Sequence, residues 1–270
     1  MMIRAIRKPG RRFRILIQVT SIVGLVVAAK LILHRLGWEG ISINQLFSAL
    51  VASDVFLLGF LLNGVLSDYK ESEKIPGEIA SALSLLALEV KAIPVHHPEA
   101  NVKRDLDAIA KLGESILAWL MGKESTTRMM NSYDNAHDHV VIASCWLAHS
   151  SLKGRLMTEL AAILRTVNRV DVIRETDFVK MVYWLAYAAT CLLLAGLVFA
   201  RSEAIVESCF FLFVIGWLLI FLLHLISDLD NPFGYSDPES AENITLDVLI
   251  SSQARIQQLA REHQDHPLAS

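Results

Sequence analysis

The sequence is poor in charge and in cysteine. Of its 270 residues, 20% are charged and 53% are apolar, and the mean hydropathy is +0.43. Soluble domains carry about a quarter charged residues, so much of this chain is not suited to water. The three cysteines are odd in number and far apart, which excludes a disulfide framework and zinc-type spacing. A net charge of −3 gives no basis for a nucleic-acid partner.

The sequence also lacks the short motifs of common enzyme classes, since it contains no GxSxG, P-loop, GxGxxG or HExxH. Its one metal-like cluster is the pair His137 and His139, which has no third ligand at a suitable spacing. Solvated polar residues at the start of a helix explain this pair better than a metal does. We therefore expect no enzyme and no catalytic residue; a membrane metalloenzyme that uses this pair is the weakest alternative.

The apolar residues are concentrated in four blocks of 19 to 23 residues, which are 15–33, 46–66, 182–200 and 204–226. A helix needs about 20 apolar residues to cross the hydrocarbon layer of a membrane. Lipid cannot satisfy exposed backbone groups, so such segments must be helical. The blocks predict an all-α integral membrane protein with four transmembrane helices. The first block also fits a cleaved signal peptide, although an uncleaved helix is the preferred interpretation.

Lysine and arginine set the predicted orientation. Six precede the first block and thirteen lie between Ser67 and Asp177. The positive-inside rule places these segments, and with an even number of spans both termini, in the cytoplasm. The predicted organisation is a basic cytoplasmic N-terminus (1–14), transmembrane helices 1 and 2 (15–66), a cytoplasmic helical region (67–177), transmembrane helices 3 and 4 (178–226) and a cytoplasmic C-terminal tail (227–270).

Helical periodicity dominates the middle region. Apolar residues recur at steps of three and four from Ile79 onward, which predicts a helix that starts at Pro76 and stops at Pro94. Further helices are predicted at about 102–120, at 139–147 and from Leu152 onward. Their opposite faces are polar, which favours a cytoplasmic helical bundle.

The second apolar block has an unusual face. The 3,4 spacing of Ser53, Phe56, Phe60, Asn63 and Ser67 places all five on one side of a helix. Small, polar and aromatic residues of this kind favour contact with helices or water rather than lipid. Rings of phenylalanine around an axis could form an apolar constriction in a pore. Periodicity alone favours the other interpretation, which is ordinary helix–helix packing.

Charged groups accompany this block. Asp54 lies inside it, where a carboxylate is costly and should face a partner, an aqueous cavity or the hydrated outer interface. In a pore, a ring of such carboxylates would favour cations. Glu71, Glu73 and Lys74 follow the block and form either a charged mouth or a solvated face.

A second informative stretch follows the last apolar block. Its hard oxygen ligands are Asp228, Asp230, Asn231 and Asp237. Such ligands suit calcium, and the bends at Pro232 and Gly234 would let them converge. The spacing is not that of an EF-hand, and a solvated, capped turn at a membrane exit is the simpler interpretation.

Taken together, the two stretches resemble the bestrophin family, and most closely its bacterial and plant bestrophin-like relatives. Gly59-Phe60, Asn63, Glu71 and the Lys-Ile-Pro-Gly of 74–77 match the family's second membrane helix and its polar continuation. Asn-Pro-Phe-Gly directly after the last membrane helix is also a family feature, found here as Asn231, Pro232, Phe233 and Gly234. The order of two spans, a helical segment, two spans and a tail agrees as well.

The resemblance implies a homopentameric ion channel in the bacterial inner membrane, with membrane lipid, small inorganic ions and copies of itself as partners. Its pore would be lined by the second helix, with a hydrophobic neck at Ala52, Phe56 and Phe60. The pore lining and mouth would be Ser53, Asn63, Ser67 and Glu71. The resemblance thereby favours the pore over packing for the phenylalanine face, but leaves open whether chloride, another small anion or a cation passes.

Departures from the family affect the expected cofactor. The run 67–70 replaces an Arg/Trp-rich segment, and Ala52 replaces a bulky neck residue. Tyr235 and Ser236 interrupt the acidic run that binds calcium in animal bestrophins, so we expect no cofactor, with calcium the one doubtful candidate. The alternative function is a non-conducting membrane scaffold or sensor whose cytoplasmic bundle recruits a partner.

Overall fold

The computed structural model describes residues 9–42, 44–175, 180–235 and 243–265. Within these ranges the chain forms nine α-helices, and its β-type pairing is an isolated bridge between Ile41 and Ala200. The helices are α1 Pro9–Leu36, α2 Gln45–Ser72, α3 Ile75–His96, α4 Lys103–Leu120, α5 Thr126–Ser144, α6 Ser150–Glu175, α7 Lys180–Phe199, α8 Ile205–Leu229 and α9 Asp247–Asp265.

Four helices are long and apolar enough to cross a membrane, and they coincide with the four predicted blocks. These are α1, α2, α7 and α8. They share one apolar core, to which Val23, Leu58, Leu194 and Leu219 each contribute from a different helix. Their outer surfaces carry large apolar side chains in the open, which only a lipid environment makes favourable. The protein is therefore an integral membrane protein.

The second span continues into a much longer helical segment. Only Glu73 and Lys74 separate α2 from α3, so Gln45–His96 forms a segment of 52 residues. At 1.5 Å per residue its length is about 78 Å, well beyond the roughly 30 Å of membrane hydrocarbon. The segment thus connects the membrane part directly to the rest of the molecule.

Helices α3 to α6 and α9 form a second, helical bundle with its own core. Ile79, Leu83, Leu86 and Val90 are buried in it, as their periodicity predicts. Helix α9 packs against α3 and α4, although no helix is predicted for the tail. There Gln253 Nε2 donates a hydrogen bond to the carbonyl oxygen of Ala110 at 2.6 Å. The C-terminal segment is therefore an integral part of the bundle.

Three predicted helix boundaries in the bundle are wrong, and one of them is the end of α5, which lies at Ser144 rather than at 147. Pro94 does not stop α3, which ends at His96, because a proline so close to the end removes only one backbone hydrogen bond. Helix α5 begins at Thr126 rather than His139, with the Ser125 hydroxyl accepting a hydrogen bond from the Arg128 N–H. The stretch before His139 is polar on most sides, so its buried residues give a weak helical pattern.

The two loops at the far end of the membrane helices are joined around a buried lysine. Lys30 is fully buried, and its Nζ donates to Glu39 Oε1 at 2.7 Å and to the Ala200 carbonyl oxygen. The ion pair with Lys30, against the opposing effect of burial, lowers the pKa of Glu39 to about 2. The N–H groups of Gly40 and Ile41 both donate to the Phe199 carbonyl oxygen at 3.2 Å.

Candidate functional site

Helix α2 has one buried face and one exposed face. The buried face packs on α7 and α8 and carries Asp54, Leu58, Leu61, Val65 and Ser72. On the other face lie the five residues whose spacing predicts a shared side, together with the two further pore residues that the family resemblance implies. All seven are exposed: Ser53, Phe56, Phe60, Asn63 and Ser67, with Ala52 and Glu71. We call this set the exposed stripe. Its two phenylalanines are 77% and 65% exposed.

The exposed stripe has open space in front of it. A Cβ atom added to Gly59, beside Phe60, would meet no atom within 4 Å. The Ser53 hydroxyl donates to the Ala49 carbonyl oxygen of its own helix at 2.8 Å. At the start of the helix, Asn44 Oδ1 accepts a hydrogen bond from the Phe47 N–H at 3.1 Å, which fixes where α2 begins. The helix is thus anchored from behind, with an aromatic and polar face left free.

Asp54 does not lie on the exposed stripe. It is 4% exposed, on the opposite side of α2, where its Oδ2 accepts a hydrogen bond from the Thr190 hydroxyl of α7 at 3.1 Å. A helix turns by about 100° per residue, so positions 54 and 56 point to nearly opposite sides. Asp54 therefore joins two helices within the chain, which corresponds to the first of the sequence-based alternatives, a partner.

At the end of the stripe, charged side chains connect α2 and α3 to α6. Glu71 forms an ion pair with Arg169, and Glu89 forms one with Arg155 at 3.1 Å. The two pairs show that α6 runs antiparallel to α3, so the end of α6 lies beside the junction of α2 and α3. Lys70 and Lys74 are exposed near this junction. The charges around it are therefore of both signs.

The Asn-Pro-Phe-Gly turn fastens the end of α8 to the bundle. The Gly234 N–H donates to the Asn231 carbonyl oxygen at 3.1 Å, and the Ile244 N–H donates to the Pro232 carbonyl oxygen at 3.2 Å. Phe233 is buried in the bundle core. A Cβ on Gly234 would lie 2.7 Å from Asn231 Nδ2 and 3.2 Å from the Asn231 carbonyl oxygen, so a side chain here would have to displace the Asn231 amide. These contacts give the motif a structural role.

Arg174 holds this turn and was not identified from the sequence. Its guanidinium carbon lies 4.6 Å from the ring centroid of Trp119 and 5.6 Å from that of Phe233. Its Nη2 donates to the Leu120 carbonyl oxygen at 2.9 Å. Burial lowers the pKa of Arg174 and raises that of Tyr235, whose hydroxyl donates to the Ile244 carbonyl oxygen. One arginine on α6 thus links α4 to the turn after α8.

The expected oxygen ligands are only partly described. Asp228 and Asp230 are half-buried at the end of α8, whereas Asp237 lies outside the described residues. Within the described ranges no group of three or more His, Cys, Asp or Glu side chains is placed to hold a metal. Calcium binding stays a prediction.

His137 and His139 point to different partners. His139 Nδ1 lies 2.9 Å from Asp105 Oδ1 of α4, while His137 Nδ1 lies 3.7 Å from Asp138 Oδ1. Residues two apart on a helix face in different directions, so the pair does not converge on one ion. Both residues lie in the second half of α5, so the predicted position at the start of a helix is wrong, and His139 instead joins α5 to α4 through Asp105.

Solved structures share this fold. A bestrophin homologue from Klebsiella pneumoniae superimposes with a TM-score of 0.69 at 14% identity, over 94% of this chain and 99% of that one. A Trp-to-Ala variant of a bestrophin homologue from that species gives 0.73 at 15% identity, over 93% and 97%. Another structure, described as a membrane protein variant, gives 0.76 at 15%, over 91% and 98%. No protein-family model and no curated protein matches the chain. The likeness establishes a bestrophin-like fold.

Proposed function

We propose that this chain, which has the fold of the bacterial bestrophin homologues, assembles into a homopentameric channel for small monovalent ions. The observation that carries the proposal is the exposed stripe of α2. A transmembrane helix that buries one face within the chain and leaves phenylalanine, serine and asparagine free on the other is suited to line a pore. No reacting group is required for passive permeation, so the proposal needs no enzyme activity and no cofactor.

The stripe provides a sequence of environments for an ion. Phe56 and Phe60 would form two apolar rings, at which dewetting controls passage, and Ala52 would leave the neck wider above them. Asn63 and Ser67 would replace part of the hydration shell below the neck. Glu71 would contribute less charge at the mouth than the sequence suggests, because it is paired with Arg169. We place Asp54 outside the pore, because it faces Thr190 of α7.

The proposed orientation puts the bundle and both termini in the cytoplasm of a bacterial cell, with 67–177 and 227–270 on the same side of the inner membrane. Helix α9 of the tail packs against α3 and α4 of the middle region. This contact supports placing the tail and the middle region on the same side of the membrane. The six basic residues before the first span support a cytoplasmic N-terminus (1–14). The spans 15–66 and 178–226 then form two hairpins.

The test combines particle mass with ion flux. We expect the detergent-solubilised particle to have five times the mass of the chain, and reconstituted protein to conduct. Replacing Phe56 and Phe60 by alanine removes both rings and should raise single-channel conductance in planar bilayers. Phe210→Ala is the matched control, because Phe210 is also exposed, on α8, and should leave conductance unchanged.

Two results would count against the proposal. Unchanged conductance in the double alanine variant of a conducting protein would remove these residues from the neck. A monomer or dimer without ion flux would favour the alternative, a scaffold or sensor that recruits a partner through its bundle.

A further inference from the structure

A groove of about 500 Å³ runs along the membrane-spanning part, outside the exposed stripe. Its walls come from three helices: α1 contributes Val26 and Ala29, α7 contributes Tyr187 and Ala195, and α8 contributes His224. The lining is almost entirely apolar, and the groove is open along one side. A cavity of this volume is in the range of sites for small apolar ligands.

The groove is continuous with the surface that the membrane covers. Large apolar side chains border it in the open, among them Ile22 and Phe199. Among the described residues, α1 and α2 each pack against α7 and α8 but not closely against each other, so the groove beside α1 lies on the side of the chain away from the stripe. If the stripe faces the pore axis, the groove faces the bilayer; this placement rests on the proposed function.

The two ends of the groove differ in polarity. Tyr187 and His224 lie at the end nearer the bundle, and His224 Nδ1 is 3.0 Å from the Ile220 carbonyl oxygen, which leaves its second ring nitrogen for another group. The opposite end is formed by Ala29, Val198 and Phe199. Tyr187 and Phe199 are twelve positions apart on α7, a distance of about 18 Å. One leaflet contributes about half of the roughly 30 Å hydrocarbon layer.

We propose that the groove holds one acyl chain of a phospholipid from the leaflet next to the bundle. The ester and headgroup lie near Tyr187 and His224, and the tail extends to Phe199. Thr190 belongs to the same wall and donates its hydroxyl hydrogen bond to Asp54 of α2. The bound acyl chain therefore lies directly behind the helix that carries the exposed stripe.

Native mass spectrometry of the full-length protein tests this. Delipidated protein is titrated with 1-palmitoyl-2-oleoyl phosphatidylethanolamine, and the bound lipids per chain are counted. Ala195→Trp fills the groove from α7, and Ala29→Trp fills it from α1 should the first variant fail to fold. Leu192→Trp is the matched control, because Leu192 lies on the same helix, is 74% exposed and is outside the lining.

We expect the wild type and Leu192→Trp to bind a single phospholipid per chain, and the filled variants to lose it. Equal uptake by the filled variants and Leu192→Trp would overturn the proposal. So would a change of particle mass in the filled variants without loss of lipid, which would assign the groove to a neighbouring copy. Lipid counting does not involve ion flux, so a protein that fails to conduct can still pass this test.

Discussion

At the scale of single residues, Lys30 is a fully buried charge among the described membrane helices. A fully buried ammonium group is tolerable only with a close counter-ion, and Glu39 provides it at 2.7 Å. His34 Nδ1 lies 3.1 Å from the same carboxylate oxygen. Glu39 therefore holds together a loop that would otherwise contain an unpaired charge.

Glu39→Gln is expected to destabilise the protein by about 3 to 5 kcal/mol, since it leaves Lys30 buried without its counter-ion. Thermal unfolding in detergent, followed by the loss of helical signal, measures the effect. Glu203→Gln in the neighbouring loop is the control, because Glu203 is exposed and its replacement should change little. Equal melting temperatures for the two variants would contradict the prediction.

The same pair predicts how stability depends on pH. The folded protein lowers the pKa of Glu39 from an ordinary 4.5 to about 2. A lowered carboxyl pKa contributes stability that is complete above the unfolded value and is lost as the pH falls through the folded one. The difference in free energy of unfolding between wild type and Glu39→Gln should therefore stay constant from about pH 5 to 8. It should shrink as the pH falls from about 4.5 to 2. A difference that already falls at pH 6 would rule this explanation out.

Individual side chains were the part of the site least accessible from the sequence. Helical spacing alone predicts that Phe56, Phe60 and Asn63 share one face, but it does not predict that this face is exposed, because the same spacing also suits helix–helix packing. The direction of Asp54 could not be predicted, because its partner Thr190 is distant in sequence and nothing local to α2 reveals it. Arg174 was missed for the same reason, since its contacts with Trp119 and Phe233 arise only when three separate elements meet.

At the scale of elements, two glycines within helices have opposite surroundings. A Cβ on Gly113 of α4 would collide with Gln253 Oε1, whereas a Cβ on Gly154 of α6 would meet no atom within 4 Å. Helix α9 can therefore approach α4 closely only where α4 lacks a side chain. Replacing each glycine by alanine should therefore separate two effects, which are the preference of a helix for alanine and the cost of displacing α9.

Gly154→Ala is expected to stabilise the protein by about 0.5 to 1 kcal/mol, because alanine loses less backbone entropy in a helix. Gly113→Ala should destabilise it by about 1 to 3 kcal/mol, since Gln253 must move and its hydrogen bond to Ala110 is lost. Chemical denaturation of both variants against wild type measures the two signs. A gain at both positions would show that α9 is not packed as described.

Arg174→Lys tests the link between α8 and the bundle. Lysine cannot lie flat between the Trp119 and Phe233 rings while also donating to the end of α4, so we expect a loss of about 2 to 4 kcal/mol. Urea unfolding followed by tryptophan fluorescence is the measurement. The control is Arg165→Lys on the same helix, where the side chain is exposed; an equal effect of the two would contradict the role given to Arg174.

Elements were predictable where one pattern has one interpretation. An apolar run of about 20 residues strongly favours a spanning helix, and all four predicted blocks coincide with helices long and apolar enough to span. Helix α9 lacked such a signal: polar Gln253 occupies one of its buried positions, between Leu249 and Ile256. Its burial depends on α3 and α4, which the sequence of the tail does not reveal.

At the scale of the whole molecule, symmetry would repeat every charge of the proposed mouth five times. Lys74 is exposed at the junction of α2 and α3. In a salt gradient, Lys74→Glu should therefore shift the reversal potential toward the equilibrium potential of the cation, because negative charge near a pore attracts cations. Lys111→Glu on α4, also exposed, is the control. The same shift with both variants would point to a surface effect remote from the pore.

The joined loops also impose an order on synthesis. Ile41 and Ala200 pair across 159 residues (200 minus 41), so the first hairpin is inserted long before the Phe199 and Ala200 carbonyls exist. At the usual 5 to 20 residues per second, this interval is about 8 to 32 s. During it, Lys30 has only Glu39, from its own hairpin, as the partner described here. The first hairpin of the nascent chain thus carries the counter-ion of its buried lysine before α7 brings the second partner, the Ala200 carbonyl.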